Sequence, residues 1–195
     1  KDRIREAIEK FSSKDIEVTP DYNEVIKAID EKDPLIFVSG RAGTGKTTLI
    51  DYIRDYLKAN VIVVAPTGVA AIQARGLTIH SFFKFPFHVV FDHSVKTMHD
   101  RDLYKNIKLL IIDEVSMVSL PLMARLLEAL GPDTKLVLVG DPQQLNSVEA
   151  GAVLPEIASL YKTQEYPITK LFINRRQAID GIPNSVNNIG QLAVN

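Results

Sequence analysis

Four short runs of almost wholly apolar residues mark the middle of the chain, at residues 35–38, 61–65, 109–112 and 136–139. Runs of this length that do not alternate with polar residues, and that are rich in Val and Ile, are typical of strands buried on both faces. They predict a parallel sheet. A fifth strand is predicted at residues 168–173, after a helix near residues 152–160.

Helical periodicity fills the stretches between these runs, at residues 47–57, 69–74 and 120–130. Gly131-Pro132 closes the last of these helices, because neither residue readily continues a helix. Strands that alternate with helices along a chain predict a doubly wound α/β sandwich, in which helices cover both faces of a parallel sheet.

Residues 1–33 are predicted to form a helical segment ahead of this sheet. Ile4, Ile8 and Phe11 share one stripe of a short amphipathic helix. Thr19-Pro20 then supplies a helix cap with proline at the first helical position. The apolar face of this second helix consists of Tyr22, Val25, Ile26 and Ile29, and Asp33-Pro34 ends it.

Residues 82–104 interrupt the alternation of strand and helix. They hold five of the eight phenylalanines and three of the four histidines, yet they follow no clean period. We interpret them as an insertion. It is either an aromatic cluster that covers a sheet edge or a surface on which bases stack, and the sequence leaves both interpretations open.

Composition narrows the functional classes. A chain of 195 residues that is 46% hydrophobic and 24% charged fits one folded domain rather than a disordered or coiled-coil protein. Because the net charge is only -1, a nucleic acid would have to bind at a local patch of positive charge. The absence of cysteine excludes thiolate chemistry and favours an intracellular location. No apolar run approaches the ~20 residues that span a bilayer, so we expect no membrane partner.

The segment from Gly40 to Thr47 fits the P-loop pattern G-x-x-x-x-G-K-[ST] at every fixed position, between a predicted strand and a predicted helix. Glycines let consecutive backbone N–H groups turn towards phosphate oxygens, and the helix N-terminus adds its positive dipole end. Lys46 is expected to reach the β- and γ-phosphates of a nucleotide, and the Thr47 hydroxyl to ligate Mg²⁺. The full set of predicted nucleotide contacts is Gly40, Ala42, Gly43, Thr44, Gly45, Lys46, Thr47 and Thr48.

Polar residues follow the third and fourth apolar runs. Asp113 and Glu114 come directly after residues 109–112, and at the carboxyl end of a strand they open onto the same crevice as the P-loop. We expect Asp113 to hold Mg²⁺ and Glu114 to act as the base that activates water. The turn at residues 140–145, after residues 136–139, contains two glutamines, and an amide there could hydrogen-bond the γ-phosphate or the attacking water.

Six motifs in order resemble those of superfamily 1 DNA helicases, and more narrowly of the Pif/RecD group. They lie at residues 40–48, 65–71, 78–82, 112–117, 140–145 and 175–177. The resemblance implies a P-loop NTPase lobe of the RecA-like kind over residues 34–180, and an ATP-driven motor that moves 5′ to 3′ on single-stranded DNA in repair or recombination. It implies that Gln144 senses the γ-phosphate and that Arg176 stabilises the transferring phosphoryl group, with Arg175 as the alternative.

The same resemblance implies contacts with single-stranded DNA from two segments, through Pro66, Thr67, Gly68, Thr78, His80 and Ser81. Small residues and hydroxyls at these positions suit close approach to phosphates, which positions a strand without reading its sequence. His80 taken alone is typical of a partly buried histidine with its hydrogen bonds satisfied, and only the surrounding motif makes it a candidate for DNA binding. The insertion that begins at Phe82 lies where related enzymes carry a wedge that separates strands.

The chain departs from the family pattern in three places. Tyr22 stands where the relatives use a glutamine to read adenine, so selection of ATP over other nucleotides is not implied by this segment. Asn146-Ser147 replaces the usual prolines after the third motif. No motif of a second lobe is recognisable, so residues 181–195 are expected to be a linker or the start of a truncated second lobe.

The expected function is therefore the N-terminal motor lobe of an intracellular DNA helicase, cytoplasmic (at the nucleoid) or nuclear. Its expected partners are single-stranded DNA and a second RecA-like lobe missing from this chain, so the chain alone should be a poor ATPase. The alternative is a P-loop switch or binding module without motor activity, which the neutral net charge favours but which leaves residues 78–82 and Arg176 unexplained. A small-molecule kinase is disfavoured because Glu114 beside Asp113 suits water activation.

Overall fold

A computed structural model describes residues 8, 18–31, 34–41, 43–58, 61–85, 104–141 and 153, and the backbone of 168–172. Its centre is a parallel sheet whose six described strands run in the order β3-β2-β4-β5-β1-β6. The strands are β1 (Leu35–Ser39), β2 (Val61–Ala65), β3 (Leu77–Thr78), β4 (Leu109–Ile112), β5 (Lys135–Gly140) and β6 (Ile168–Phe172). The parallel sheet and the five strands predicted from apolar runs are confirmed.

The described helices flank this sheet. They are α1 (Pro20–Asp30), α2 (Lys46–Leu57), α3 (Gly68–Gln73), α4 (Ile79–Phe83) and α5 (Leu120–Ala129), together with a 3-10 turn at Val115–Met117. The predicted helix at 152–160 lies outside the described residues except for Val153, which is buried. None of the helices within the described ranges is both long and apolar enough to cross a membrane.

Alternate residues of each strand enter different halves of the core. Ile36 and Val38 of β1 pack with α1 and α2 on one face, whereas Phe37 packs with α4 and α5 on the other. In β4, Leu109 and Ile111 join the first face while its other two residues join the second. A sheet buried on both faces explains why its strands are uniformly apolar.

Helix α1 has the predicted buried face, but its N-terminal cap differs from the prediction. Thr19 is the N-cap residue, yet its hydroxyl makes no capping hydrogen bond. The Tyr22 N–H donates instead to the Thr19 backbone carbonyl at 3.1 Å, so the donor that the hydroxyl would have accepted is already paired. At the other end, the Lys135 ammonium contacts the carbonyls of Ile29 and Glu31 and ties the end of α1 to β5.

The start of the aromatic insertion belongs to the core. Phe82 and Phe83 close helix α4 rather than opening an irregular segment, and the Phe83 ring is 2% exposed. Its centroid lies 5.0 Å from that of Tyr104 and 5.3 Å from that of Phe85. For these residues the structure supports the interpretation as an aromatic cluster and not the interpretation as a surface on which bases stack. Residues 86–103 lie outside the described residues.

Candidate functional site

The P-loop connects β1 to α2. Gly43 and Gly45 have φ values of 77° and 91°, a left-handed backbone that side chains other than glycine rarely adopt. The Thr44 hydroxyl donates to the Arg41 carbonyl at 2.8 Å, and the Gly40 N–H donates to the Gly140 carbonyl at 3.2 Å. The loop is therefore closed within itself and attached to the end of β5.

Lys46 is the first residue of α2 and is 8% exposed. Its ammonium donates to the carbonyls of Gly40 at 2.7 Å and Arg41 at 3.0 Å. Thr47 and Thr48 follow in the first turn of the same helix. The P-loop thus brings one buried cation and the N-terminus of a twelve-residue helix to the carboxyl end of β1.

Asp113 leaves the carboxyl end of β4 and is fixed on two sides. Its N–H donates to the Val64 carbonyl of β2 at 2.9 Å, and its side-chain Oδ1 accepts the Glu114 N–H at 2.9 Å. Burial raises the pKa of the Asp113 carboxyl above its ordinary value, and the Glu114 N–H and the Lys46 charge offset this only in part. A cation bound nearby would stabilise the ionised form of this carboxyl group.

Glu114 occupies the turn between β4 and the 3-10 helix with φ 50°, an uncommon conformation for a residue with a side chain. Burial is the main cause that raises the pKa of its carboxyl, and repulsion from Asp113 adds to it while Lys46 opposes it. In the described part of the chain its Oε2 is buried without a hydrogen-bond partner. This oxygen has acceptor capacity for a water or a ligand.

Asp141 is a third acid of this site, for which the motif at residues 140–145 predicted no role. It follows β5, is 5% exposed, and its charge also raises the pKa of Glu114. The signal was present in the sequence, since Gly140-Asp141 follows an apolar run at the same sheet edge. The chemistry predicted for that turn rests on Gln144 instead, which lies outside the described residues.

These residues fit a magnesium-bound nucleotide. Asp113, Glu114 and Asp141 outnumber the ammonium of Lys46, and carboxylate and hydroxyl oxygens are the protein ligands that Mg²⁺ takes. Within the described ranges no group of three acidic or histidine side chains could hold a metal ion by itself. Thr47 and Asp113 remain the predicted protein ligands of Mg²⁺, an ion that usually binds substrate phosphates and several waters as well.

The predicted DNA contacts lie at one corner of the sheet, where β2 pairs with β3 and Ala65 is opposite Thr78. The hydroxyls of Thr67 and Thr78 cap α3 and α4, since each accepts a backbone N–H, from Ala70 at 3.2 Å and from Ser81 at 3.1 Å. Each hydroxyl keeps a hydrogen to donate.

The other predicted contacts at this corner differ in exposure. Gly68 and Ser81 are exposed, whereas Pro66 and His80 are half-buried. No atom lies within 4 Å of a Cβ built at Gly68. Three further predicted site residues, Ala42, Gln144 and Arg176 with its alternative Arg175, lie outside the described residues and remain predictions.

Known proteins are similar to this chain in sequence and in fold. A family model described as an AAA domain matches residues 18–184. The RecBCD enzyme subunit RecD of Haemophilus influenzae is 36% identical over 193 residues, a match that covers 85% of this chain and 30% of the relative. The ATP-dependent DNA helicase PIF1 of Emericella nidulans is 36% identical over 148 residues, which covers 65% of this chain and 20% of the relative.

A solved helicase structure is also similar to this chain. The Pif1 helicase from Bacteroides, crystallised in complex with ADP-AlF3 and ssDNA, superposes with a TM-score of 0.66 at 29% identity, over 84% of this chain and 44% of that one. The chain thus spans less than half the length of each of these three relatives. With this fold, this P-loop and these relatives, the chain belongs to the Pif/RecD group of superfamily 1 DNA helicases, as the N-terminal RecA-like lobe.

Proposed function

We propose that this chain is the motor lobe of an ATP-dependent DNA helicase that binds Mg-ATP and single-stranded DNA and moves 5′ to 3′. The observation that carries the proposal is the placement of Lys46 beside Asp113 and Glu114, with a buried and unpartnered Glu114 oxygen at the same sheet edge as the P-loop. A cation for phosphate and a carboxylate for water are the two groups that hydrolysis of a phosphoanhydride needs.

Each residue has a distinct task in this proposal. Lys46 exchanges its loop carbonyls for phosphate oxygens, and the N–H groups of the P-loop orient the triphosphate. Thr47 and Asp113 hold Mg²⁺, which when bound offsets phosphate charge. Glu114 accepts a proton from the attacking water, and its raised pKa makes the carboxylate a stronger base than an exposed glutamate.

The second lobe and the DNA complete the proposed motor. Gln144 would report on the γ-phosphate, Arg176 would stabilise the transferring phosphoryl group, and a second RecA-like lobe would close the cleft. The greater length of the relatives supports such a lobe. The DNA backbone would lie on the corner of β2 and β3, and the crystallised complex of Bacteroides Pif1 with ssDNA supports DNA binding by analogy. We place the whole protein with DNA, in the cytoplasm or nucleus.

The test compares four variants in the complete protein. Glu114→Gln should lower DNA-stimulated ATP hydrolysis by about 10²- to 10⁴-fold and leave nucleotide binding intact. Lys46→Ala should abolish nucleotide binding. Glu128→Gln and Lys108→Ala, which change exposed residues of the same types, should alter neither.

Two results would count against the proposal. Normal ATP hydrolysis by Glu114→Gln would show that Glu114 is not the base that activates water. Hydrolysis by the parent protein that single-stranded DNA does not stimulate would favour the P-loop switch instead.

A further inference from the structure

Tyr22 connects the N-terminal helix to the P-loop. Its side chain is fully buried, and its hydroxyl donates to the Gly45 carbonyl at 2.9 Å. The same carbonyl accepts the Leu49 N–H at 2.9 Å, one of the first hydrogen bonds of α2. Two donors from different parts of the chain therefore fix the orientation of one peptide group in the loop.

That peptide group is the one that joins Gly45 to Lys46. Because a peptide is planar, with its carbonyl and N–H on opposite sides, holding the Gly45 oxygen also fixes the direction of the Lys46 N–H. Gly45 has φ 91° and, as glycine, has more backbone freedom than any other residue. The hydroxyl contact thus restrains the loop at a glycine, where the backbone has the most conformations open to it.

Two further tyrosines also join α1 to α2. The Tyr52 hydroxyl donates to Asn23 Oδ1 at 3.0 Å, and the Tyr56 hydroxyl donates to Asp30 Oδ2 at 2.5 Å. The rings of Tyr22 and Tyr52 lie 5.8 Å apart in the same core cluster. Helix α1 is therefore attached to α2 at two further points that do not involve the P-loop.

We propose that Tyr22 is a positioning residue for the triphosphate, acting through the Gly45 carbonyl to orient the Lys46 N–H towards phosphate. The inference rests on the proposed nucleotide-binding function and extends it to a residue outside the P-loop. It also assigns Tyr22 no contact with the base, because its ring is buried and its one hydroxyl hydrogen is donated to Gly45. Its contribution is the same for every nucleoside triphosphate.

Tyr22→Phe tests this inference, with Tyr52→Phe as the matched control. Each variant removes one hydroxyl from the interface of α1 and α2, but the control removes a contact with Asn23 rather than with the loop. Binding of fluorescent, non-hydrolysable analogues of ATP and GTP with Mg²⁺ would be measured for this chain, together with thermal unfolding. We expect Tyr22→Phe to weaken both analogues about fivefold, and the control to change neither by more than about twofold.

A second readout follows the loop itself. Amide hydrogen exchange of residues 43–48 should be faster in Tyr22→Phe than in Tyr52→Phe at equal global stability. Equal affinities for the two variants, or a loss confined to ATP, would overturn the positioning role. If the parent chain bound neither analogue, the proposed function would fail as well, whereas tight binding by both parent and Tyr22→Phe would refute this inference alone.

Discussion

At the scale of single residues, Glu114 is held in a conformation and an environment that are both unfavourable to it. Its φ of 50° lies in the left-handed region, and its carboxylate is partly buried near those of Asp113 and Asp141. Residues with such backbone geometry persist where the surrounding structure imposes it, and they cluster at active sites. The unfavourable placement of Glu114 is consistent with selection for chemistry rather than for stability.

This placement predicts how stability depends on pH when nucleotide and Mg²⁺ are absent. The pKa of Glu114 is raised on folding, so the folded state binds more protons than the unfolded state, and stability falls as pH rises through that pKa. Glu114→Gln removes the ionisable group. We therefore expect this variant to be more stable than the parent at about pH 8, with the advantage shrinking as the pH falls towards the ordinary glutamate pKa of about 4.3.

Urea unfolding across that range measures the effect. Glu128→Gln changes an exposed glutamate of α5 and should show no such pH-dependent gain. A Glu114→Gln advantage that stayed constant with pH would contradict the raised pKa.

The sequence predicted Lys46, Thr47, Asp113 and Glu114 because each lies in a motif that ends a strand or begins a helix. It could not show that Tyr22 contacts Gly45, 23 residues away, since that pairing depends on how α1 packs against α2. The position of Asp141 after an apolar run was visible in the sequence, but its influence on the pKa of Glu114 depends on which strand ends are adjacent in the folded sheet.

At the scale of elements, β2 connects the acids of the candidate nucleotide site to the proposed DNA corner. The Asp113 N–H donates a hydrogen bond to the carbonyl of Val64, near the carboxyl end of β2. The same strand leads into Pro66, Thr67 and Gly68. Apolar runs were long enough to predict β2 and β4. The two residues of β3 and the five of α4 were too few to show a period. Strand β3 depends on pairing with β2, and helix α4 on capping by Thr78.

Gly76 determines how closely α3 and β3 approach β2. A Cβ built at Gly76 would lie 2.3 Å from the Val63 carbonyl oxygen, whereas one built at Gly68 meets no atom within 4 Å. Gly76→Ala should lower the free energy of unfolding by about 1–3 kcal/mol through overpacking. Gly68→Ala should stay within about 0.5 kcal/mol of the parent, as for other surface changes. Denaturant titration compares them, and equal effects would contradict the close approach.

The cap of α3 allows a test of the proposed DNA corner. Thr67→Ala removes a hydroxyl that caps α3 and that we place against a DNA phosphate, so it should lower stability by about 0.5–2 kcal/mol and weaken single-stranded DNA binding about tenfold. Ser119→Ala removes the equivalent cap of α5, where Oγ accepts the Leu122 N–H at 3.4 Å. It should match the stability loss and leave DNA affinity unchanged.

Thr67→Ser retains the hydroxyl and should restore both properties. Equal DNA affinities for Thr67→Ala and Ser119→Ala would remove Thr67 from the proposed contact.

At the scale of the whole molecule, strand order connects the two proposed binding sites. All described strands are parallel, so their carboxyl ends share one edge of the sheet. Along that edge the acids after β4 and β5 lie between the P-loop after β1 and the corner formed by β2 and β3. The motifs predicted a common edge, but strand order is a property of the folded sheet and could not be taken from their sequence order.

The proposed function requires that single-stranded DNA and nucleotide bind this lobe in a coupled way, because a motor converts ATP hydrolysis into movement on DNA. The most direct test is fluorescence anisotropy of a labelled single-stranded oligonucleotide titrated with this chain, with and without Mg²⁺ and a non-hydrolysable ATP analogue, at low and moderate salt. We predict salt-sensitive binding whose affinity shifts with nucleotide, and loss of that shift in Lys46→Ala. DNA binding that is absent in every nucleotide state, or that nucleotide does not alter, would contradict the account.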